Sequence, residues 1–315
     1  MSDARERFLA FRRSLPPPSR LAHHTVRARG LDFAVFVSAA VEGAVPLVCI
    51  NGGLIYDHRL LWPALSPLAQ HRQLIFYDQR GRGKTPAAPG VRAARTEHDA
   101  GDVGALRTAL GIPEWDVLGH SWGGAVAMLS ASMDPDGVRR LVLVDAVGPT
   151  SDWLPALHAG ALARLDGEQR AALIMADENG DVSAGRNEDA EARETYARAF
   201  YPAWFADRAL ASSLRPPRAR SETGAVVAAR MRREGYDFRL LVRALSAPTL
   251  VIHGEEDLLP VDVARATAEI IPHARLEVIP GAGHMPFWEA PVRFFGIVDA
   301  FLHEPIAPRI PDEAT

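Results

Sequence analysis

Six short, continuously apolar segments recur along the chain, separated by stretches with helical periodicity. A strand that is apolar on both faces must be covered on both faces, as in a parallel sheet between two layers of helices. The sequence therefore predicts an α/β fold. The apolar segments are VPLVCI (45–50), QLIFYD (73–78), WDVLGH (115–120), VRRLVLVDAV (138–147), APTLVIHG (247–254) and ARLEVIPG (274–281). The main helical stretches are 97–110, 122–132, 261–271 and 291–302.

Two further strand candidates, HHTVRARG (23–30) and LDFAVFVSA (31–39), are more polar and lie close together. They are expected to form an antiparallel hairpin at one edge of the sheet. The sequence thus predicts a mostly parallel, eight-stranded sheet flanked by helices.

The strand pattern lapses for almost a hundred residues in the middle of the chain. Residues 149–246 are predicted to form an inserted helical cap, with loops at 177–189 and 213–224. Residues 21–148 and 247–315 would form the sheet-bearing core. Residues 1–20 would form a helical extension, with a helix over 4–15 that the run Pro16-Pro17-Pro18 ends.

Composition excludes several classes of function. A net charge of −4 gives no electrostatic case for binding nucleic acid or an anionic membrane. The N-terminus lacks the apolar run of a signal peptide, and no segment reaches the ~18 apolar residues of a membrane span. The single cysteine, Cys49, is expected to be an inert core thiol. We expect a cytoplasmic protein; its oligomeric state is not indicated.

The segment GHSWGG places Ser121 between Gly119 and Gly123, where an apolar strand gives way to a helix. A serine here would serve as a helix cap. Capping does not explain the paired glycines, whereas a nucleophile on a sharp strand-to-helix turn requires them. The pattern therefore favours Ser121 as a nucleophile.

A serine nucleophile needs a base, and that base needs an orienting group. Asp257 follows the strand LVIHG, and His284 lies in the loop after the last strand. The carboxyl ends of parallel strands share one edge of the sheet, so these residues are expected to meet Ser121 there. Asp145, after the preceding strand, is the alternative acid. His120 is expected to have a structural role.

Two backbone amides would complete the site. Asn51-Gly52-Gly53-Leu54 follows an apolar strand, and an N–H of Gly53 or Leu54 would pair with the N–H of Trp122 as an oxyanion hole. The sequence RGRGKT lacks the first glycine of a phosphate-binding loop, since Asp78 stands in its place, and is interpreted as a turn held by Asp78 and Arg80.

The sequence resembles the α/β-hydrolase superfamily over residues 45–302. Within that superfamily, NGGLIYDHRLLW, FYDQRGRGKT and GHSWGG resemble motifs of the proline iminopeptidase group. The resemblance implies an α/β-hydrolase fold, a triad of Ser121, Asp257 and His284, and an oxyanion hole at Gly53 and Trp122.

Two positions depart from the family pattern, because Asn51 stands where a histidine is usual and Leu54 where a proline is usual. The iminopeptidases also hold a substrate ammonium with acidic residues. The inserted segment has many acids, but none lies in a recognisable motif: Glu191, Glu194, Glu222 and Glu234 are examples.

Several apolar side chains are candidates for substrate contact, although core packing is an equally good interpretation. They are Leu54, Trp153, Phe200, Tyr201, Trp204 and Phe287. The acidic stretch DENGD lacks the spacing of a calcium loop, and no metal site is predicted.

The predicted function is hydrolysis of an ester, lactone or amide of a small, largely apolar substrate through an acyl-enzyme, without a cofactor. A proline iminopeptidase-like aminopeptidase is one version of this function. The alternatives are a cofactor-free lyase or cyclase of secondary metabolism on the same fold, and a non-catalytic small-molecule receptor.

Overall fold

The structure, a computed structural model, describes residues 3–15, 17–218 and 220–305. The predictions that concern Pro16 and the two ends of the chain, residues 1–2 and 306–315, lie outside these residues.

An eight-stranded sheet forms the centre of the molecule, in the order β1-β2-β4-β3-β5-β6-β7-β8. The β1–β2 and β2–β4 pairs are antiparallel and all the other pairs are parallel, which confirms the predicted edge hairpin. The strands are β1 (Ala22–Ala28), β2 (Leu31–Val37), β3 (Leu47–Ile50), β4 (Leu74–Tyr77), β5 (Trp115–His120), β6 (Val138–Val144), β7 (Thr249–Gly254) and β8 (Arg275–Ile279).

Helices cover both faces of the sheet and fill the interval between β6 and β7. The helices outside that interval are α1 (Asp3–Ser14), α2 (Thr96–Ala109), α3 (Trp122–Met133), α10 (Val261–Ile270), α11 (Pro286–Glu289) and α12 (Pro291–His303). Those within it are α4 (Leu154–Arg164), α5 (Gly167–Met175), α6 (Ala190–Phe200), α7 (Arg208–Ser212), α8 (Glu222–Glu234) and α9 (Arg239–Val242).

The continuous apolar runs in the strands follow from packing on both faces. Along β6, Leu141 and Leu143 belong to one core cluster, whereas Val142 and Val144 belong to the other. Alternate side chains of a strand point to opposite faces, so strands inside the sheet contribute to two separate cores.

Helices α5, α6, α7 and α8 each begin at a side chain that accepts a backbone N–H. Asp166, Asp189, Asp207 and Ser221 are these N-cap residues. Such caps satisfy amide groups that the first helical turn leaves unpaired. In the described part of the chain, no helix is long and apolar enough to cross a membrane.

The order of the strands determines where a site can form. The chain passes from β3 to β4 on one side and then returns to place β5 on the other side of β3. Open α/β sheets bind ligands at such a reversal, beyond the carboxyl ends of the strands. The loops after β3 and β5 therefore lie side by side, with Ile50 paired to Gly119.

Candidate active site

Ser121 lies in a strained turn between β5 and α3. Its φ of 56° and ψ of −124° fall in a region that L-residues rarely adopt. Backbone contacts hold it there, because its N–H donates to Val144 O at 3.0 Å and its carbonyl accepts the Gly124 N–H at 2.9 Å. The side chain makes no capping hydrogen bond, so a helix cap does not explain this serine.

The glycines around Ser121 are required by close packing. A Cβ at Gly119 would lie 2.7 Å from Ala127 Cβ, and one at Gly123 would collide with the Ile50 carbonyl oxygen. Both positions must therefore lack a side chain for the turn to pack against β3 and α3. This is the packing expected of a nucleophile turn.

His284 and Asp257 form a hydrogen-bonded pair at the same edge of the sheet. His284 Nδ1 lies 2.8 Å from Asp257 Oδ2, and Asp257 Oδ1 accepts the Leu259 N–H at 3.1 Å. Burial raises the pKa of Asp257, but His284, His253 and the Leu259 amide outweigh it and leave this pKa below its usual value. Asp257 is therefore ionised and can orient the imidazole.

The alternative acid, Asp145, has a different environment. Its side chain is fully buried, and burial together with the charge of Asp257 raises its pKa well above the usual value. Asp145 Oδ1 accepts the Gly254 N–H at 2.7 Å. This contact braces β7, and among the described residues His284 is hydrogen-bonded to Asp257 and not to Asp145.

His120 supports the loop that carries His284. Its Nε2–H donates to the His284 carbonyl at 2.9 Å. Burial, and then the charge of His284, lowers the pKa of His120 to about 3. His120 is therefore neutral at physiological pH, and its observed contact is a structural one.

Ser121 and His284 line the same cavity, of about 190 Å³. Both are nearly buried, with 8% and 2% of their surface exposed. Ser121 Oγ forms no hydrogen bond with any residue that the structure describes, His284 included, so the bond between nucleophile and base is not formed here. Hydrogen bonds between nucleophile and base commonly tighten when substrate binds.

The loop after β3 passes directly against Ser121. A Cβ at Gly52 would lie 2.5 Å from Ser121 Cβ and 2.9 Å from Trp122 N. The N–H groups of Gly53, Leu54 and Trp122 donate to no acceptor within the described residues. Two strands thus bring free amides together beside Ser121, as an oxyanion hole requires.

The two departures from the family pattern have structural consequences in this loop. Asn51 is buried, and its Nδ2 donates to Gly52 O and Tyr56 O, each at 3.2 Å, so it closes the loop onto itself. Leu54 has a φ of 58°, which the ring of a proline forbids. The loop therefore has a conformation that the usual proline could not adopt.

Buried ion pairs hold the segment after β4 beside the site. Arg80 pairs with Asp102, and Arg82 pairs with Asp99 at 2.9 Å. Arg82 Nε also donates to Leu54 O at 2.8 Å, which ties this segment to the loop after β3. Asp78 accepts the Lys84 N–H at 2.8 Å, so RGRGKT is held as a turn by Asp78 and Arg80.

The cavity contains some of the predicted substrate contacts and not others. Leu54, Phe200, Tyr201 and Trp204 line it. Trp153 lies outside the lining because its indole donates to Tyr236 OH at 2.7 Å. Phe287 is also outside, since it is 2% exposed and packs edge-on against His120 and Phe294.

Sequence reasoning missed several residues of the lining. Tyr56 and Leu60 follow the glycine loop, and Tyr196, Arg193 and Arg232 come from α6 and α8. The resemblance directed attention to the acids of these helices. The arginines that face the cavity have no motif that could have identified them.

Trp204 connects the inserted segment to His284. Its ring stacks on the imidazole with centroids 4.2 Å apart, and its carbonyl accepts the His284 N–H at 2.8 Å. Glu289 adds a second connection, because it accepts the N–H of Gly283 at 2.7 Å and of Asp207 at 2.9 Å.

Two groups of His and Asp side chains have spacings compatible with a metal ion. They are Asp57, His58 and Asp78, and Asp145, His253 and Asp257. Internal contacts use some of the ligand atoms: His58 Nδ1 lies 2.7 Å from Asp78 Oδ1, and His253 Nε2 donates to Leu259 O at 2.8 Å. In the second group, His253 Nδ1 and Asp145 Oδ2 are buried without a hydrogen-bond partner among the described residues.

Comparison with known proteins finds relatives among the hydrolases. A proline iminopeptidase of Lactobacillus delbrueckii subsp. bulgaricus is 26% identical over 273 residues, covering 82% of this chain and 89% of the relative. A 2-hydroxymuconate semialdehyde hydrolase of Pseudomonas putida is 32% identical over 242 residues, covering 75% and 79%. The crystal structure of a Mycobacterium smegmatis proline iminopeptidase superposes with a TM-score of 0.65 at 25% identity, covering 90% and 98%.

The family model for the alpha/beta hydrolase fold matches residues 45–291, most of the chain. That range begins just before β3 and includes Ser121, Asp257 and His284. The chain therefore belongs to the α/β-hydrolase family and is a hydrolase.

Proposed function

We propose that this hydrolase cleaves an ester, lactone or amide of a small, largely apolar substrate by acyl transfer to Ser121. One observation carries the proposal. Ser121 lies in a strained turn and lines the same cavity as His284. The Nδ1 atom of His284 is hydrogen-bonded to the ionised carboxylate of Asp257.

In this mechanism, His284 Nε2 accepts the hydroxyl proton as Ser121 Oγ attacks the substrate carbonyl. Asp257 fixes the tautomer that leaves Nε2 free to accept, and it stabilises the imidazolium that forms. His284 then protonates the leaving group, and water repeats the sequence on the acyl-enzyme.

The N–H of Trp122 and that of Gly53 or Leu54 would hold the developing oxyanion. Each such donor typically lowers the barrier by about 3 to 4 kcal/mol. Residues 149–246 would act as the cap that closes the cavity. Support for this role comes from Phe200, Tyr201 and Trp204, which line the cavity from this segment.

The first test is a panel of 4-nitrophenyl esters, lactones and prolyl arylamides with the wild type and Ser121→Ala. We expect wild-type hydrolysis of esters, and a kcat lower by about 10⁴ to 10⁶ in the variant, because the members of a triad act as a unit. A fluorophosphonate should label the wild type at Ser121 and leave the variant unlabelled. Equal turnover by the two proteins would disprove the proposal.

Release of an N-terminal proline is the second candidate, since two of the relatives described above are named proline iminopeptidases. The same panel separates the two versions. Cleavage of prolyl arylamides in preference to acyl esters would favour the peptidase. Cleavage of esters alone would favour the esterase.

A further inference from the structure

We propose that the cavity receives a substrate whose far end carries a carboxylate, which Arg193 and Arg232 bind. This inference rests on the proposed function and names the chemical class of its substrate. It follows from the positive charges of the arginines that line the cavity, because a substrate ammonium would require negative charges there.

Both arginines line the cavity together with Ser121, and none of its described lining residues is an aspartate or a glutamate. Arg193 comes from α6 and is half-buried. Arg232 comes from α8 and is an exposed residue whose guanidinium packs beside Gly185, another lining residue. Two helices thus bring two fixed positive charges to one apolar chamber.

Neither arginine forms an ion pair with a carboxylate among the described residues. Arg193 Nη1 donates to the Asn187 carbonyl at 3.0 Å and makes no ion pair. Arg232 makes no hydrogen bond or ion pair with any residue that the structure describes.

One acid on each of these helices is engaged elsewhere. Glu194, next to Arg193 in the chain, pairs with Arg198 and Arg220 instead. Glu234 pairs with Arg230 and Arg233. Asp177, in the loop before α6, attracts Arg232 without forming an ion pair with it, and its two oxygens accept the N–H groups of Val182 and Ser183. The two guanidinium groups of the cavity therefore remain available.

A carboxylate is the group that suits this arrangement. A guanidinium presents paired N–H donors that match carboxylate geometry, and its charge-assisted hydrogen bonds are stronger than neutral ones. The aromatic and aliphatic lining would hold the carbon chain between the charged end and the scissile carbonyl.

A matched substrate series tests this inference in the wild type. 4-Nitrophenyl hydrogen adipate is compared with 4-nitrophenyl hexanoate, and 4-nitrophenyl hydrogen suberate with 4-nitrophenyl octanoate. Each pair differs only in a terminal carboxylate, and the two lengths allow for the depth of the cavity. We expect kcat/KM to be about 10- to 100-fold higher for the acid of at least one pair.

Charge-removing variants then assign the effect to its residues. Arg193→Gln with Arg232→Gln should abolish the preference for the acid. Arg198→Gln with Arg233→Gln removes the same charge from the same two helices, at residues that do not line the cavity. This control should retain the preference, and urea unfolding will show whether either protein is destabilised.

The outcomes separate this inference from the proposed function. Loss of ester hydrolysis in Ser121→Ala, without any preference for either acid, would overturn the inference and keep the serine mechanism. A preference for 4-nitrophenyl 6-aminohexanoate or for prolyl arylamides would overturn it as well. Equal turnover by wild type and Ser121→Ala would remove the proposed function itself.

Discussion

The sheet edge and the inserted segment (residues 149–246) border the same cavity, but they hold their side chains by different means. At the sheet edge, Ser121 follows β5 directly and Asp257 lies three residues after β7, so the sheet's backbone hydrogen bonds fix both positions. In the inserted segment, Tyr196 and Arg232 project from separate helices that caps and side-chain packing hold. Substitutions at the edge should therefore change the rate of catalysis, whereas those in the segment should change which substrate is accepted.

The largest expected effect on kcat comes from the two acids at the sheet edge, Asp257 and Asp145. Asp257→Asn should lower kcat by about 10⁴, because an amide holds the wrong tautomer of His284. Asp145→Asn should change kcat by less than tenfold, since an amide of the same size can still accept the Gly254 N–H and Asp145 is not bonded to His284. The measurement is kcat for a 4-nitrophenyl ester. Equal losses in the two variants would show that His284 depends on both acids.

Much of the sheet edge could be predicted, because its candidate catalytic residues lie in a glycine turn and just after apolar strands, both of which are recognisable in the sequence. The paired glycines around Ser121 are demanded by close packing against Ile50 and Ala127, so the turn is visible in the sequence. Asp257 and His284 could be selected because each follows a recognisable apolar strand. The conformation of Leu54 could not be predicted, since nothing in its sequence context requires a positive φ.

The inserted segment was less predictable for a physical reason. Its helices have clear periodicity and caps, but periodicity does not determine which neighbour a helix face meets. Trp153 and Phe200 are both aromatic residues of this segment, yet one hydrogen-bonds to Tyr236 and the other lines the cavity. That difference depends on how several helices pack together.

Glu289 allows a direct test of how the two regions are joined. Its carboxyl accepts the Gly283 N–H on the sheet side and the Asp207 N–H at the start of α7. Burial raises its pKa to about 7, although the backbone amides of Asp207, Gly283 and Ala206 oppose the shift. The folded state therefore prefers the protonated form between pH ~4.5 and ~7.

Because the folded pKa lies above the unfolded one, the stability that Glu289 contributes is complete below pH ~4.5 and is lost as pH rises through ~7. The loss is about 3 kcal/mol in the free energy of unfolding. Glu289→Gln should remove this part of the pH dependence, measured by urea unfolding from pH 4.5 to 8. Glu255→Gln, which alters an exposed carboxylate nearby, should keep the wild-type slope. An unchanged slope in Glu289→Gln would assign the dependence to other groups.

The smallest expected effect concerns Trp204, whose ring covers His284 from the inserted segment. Trp204→Ala should lower kcat/KM about 2- to 10-fold, because an aromatic pair contributes roughly 0.5 to 1.5 kcal/mol beyond its buried area. Trp204→Phe should retain most activity, and the backbone bond from His284 N–H to Trp204 O survives in both variants. Trp153→Phe is the control, since Trp153 lies outside the cavity lining. If Trp204→Ala instead lowered kcat as far as Asp257→Asn does, the inserted segment would be part of the catalytic machinery, and the division between the two regions would fail.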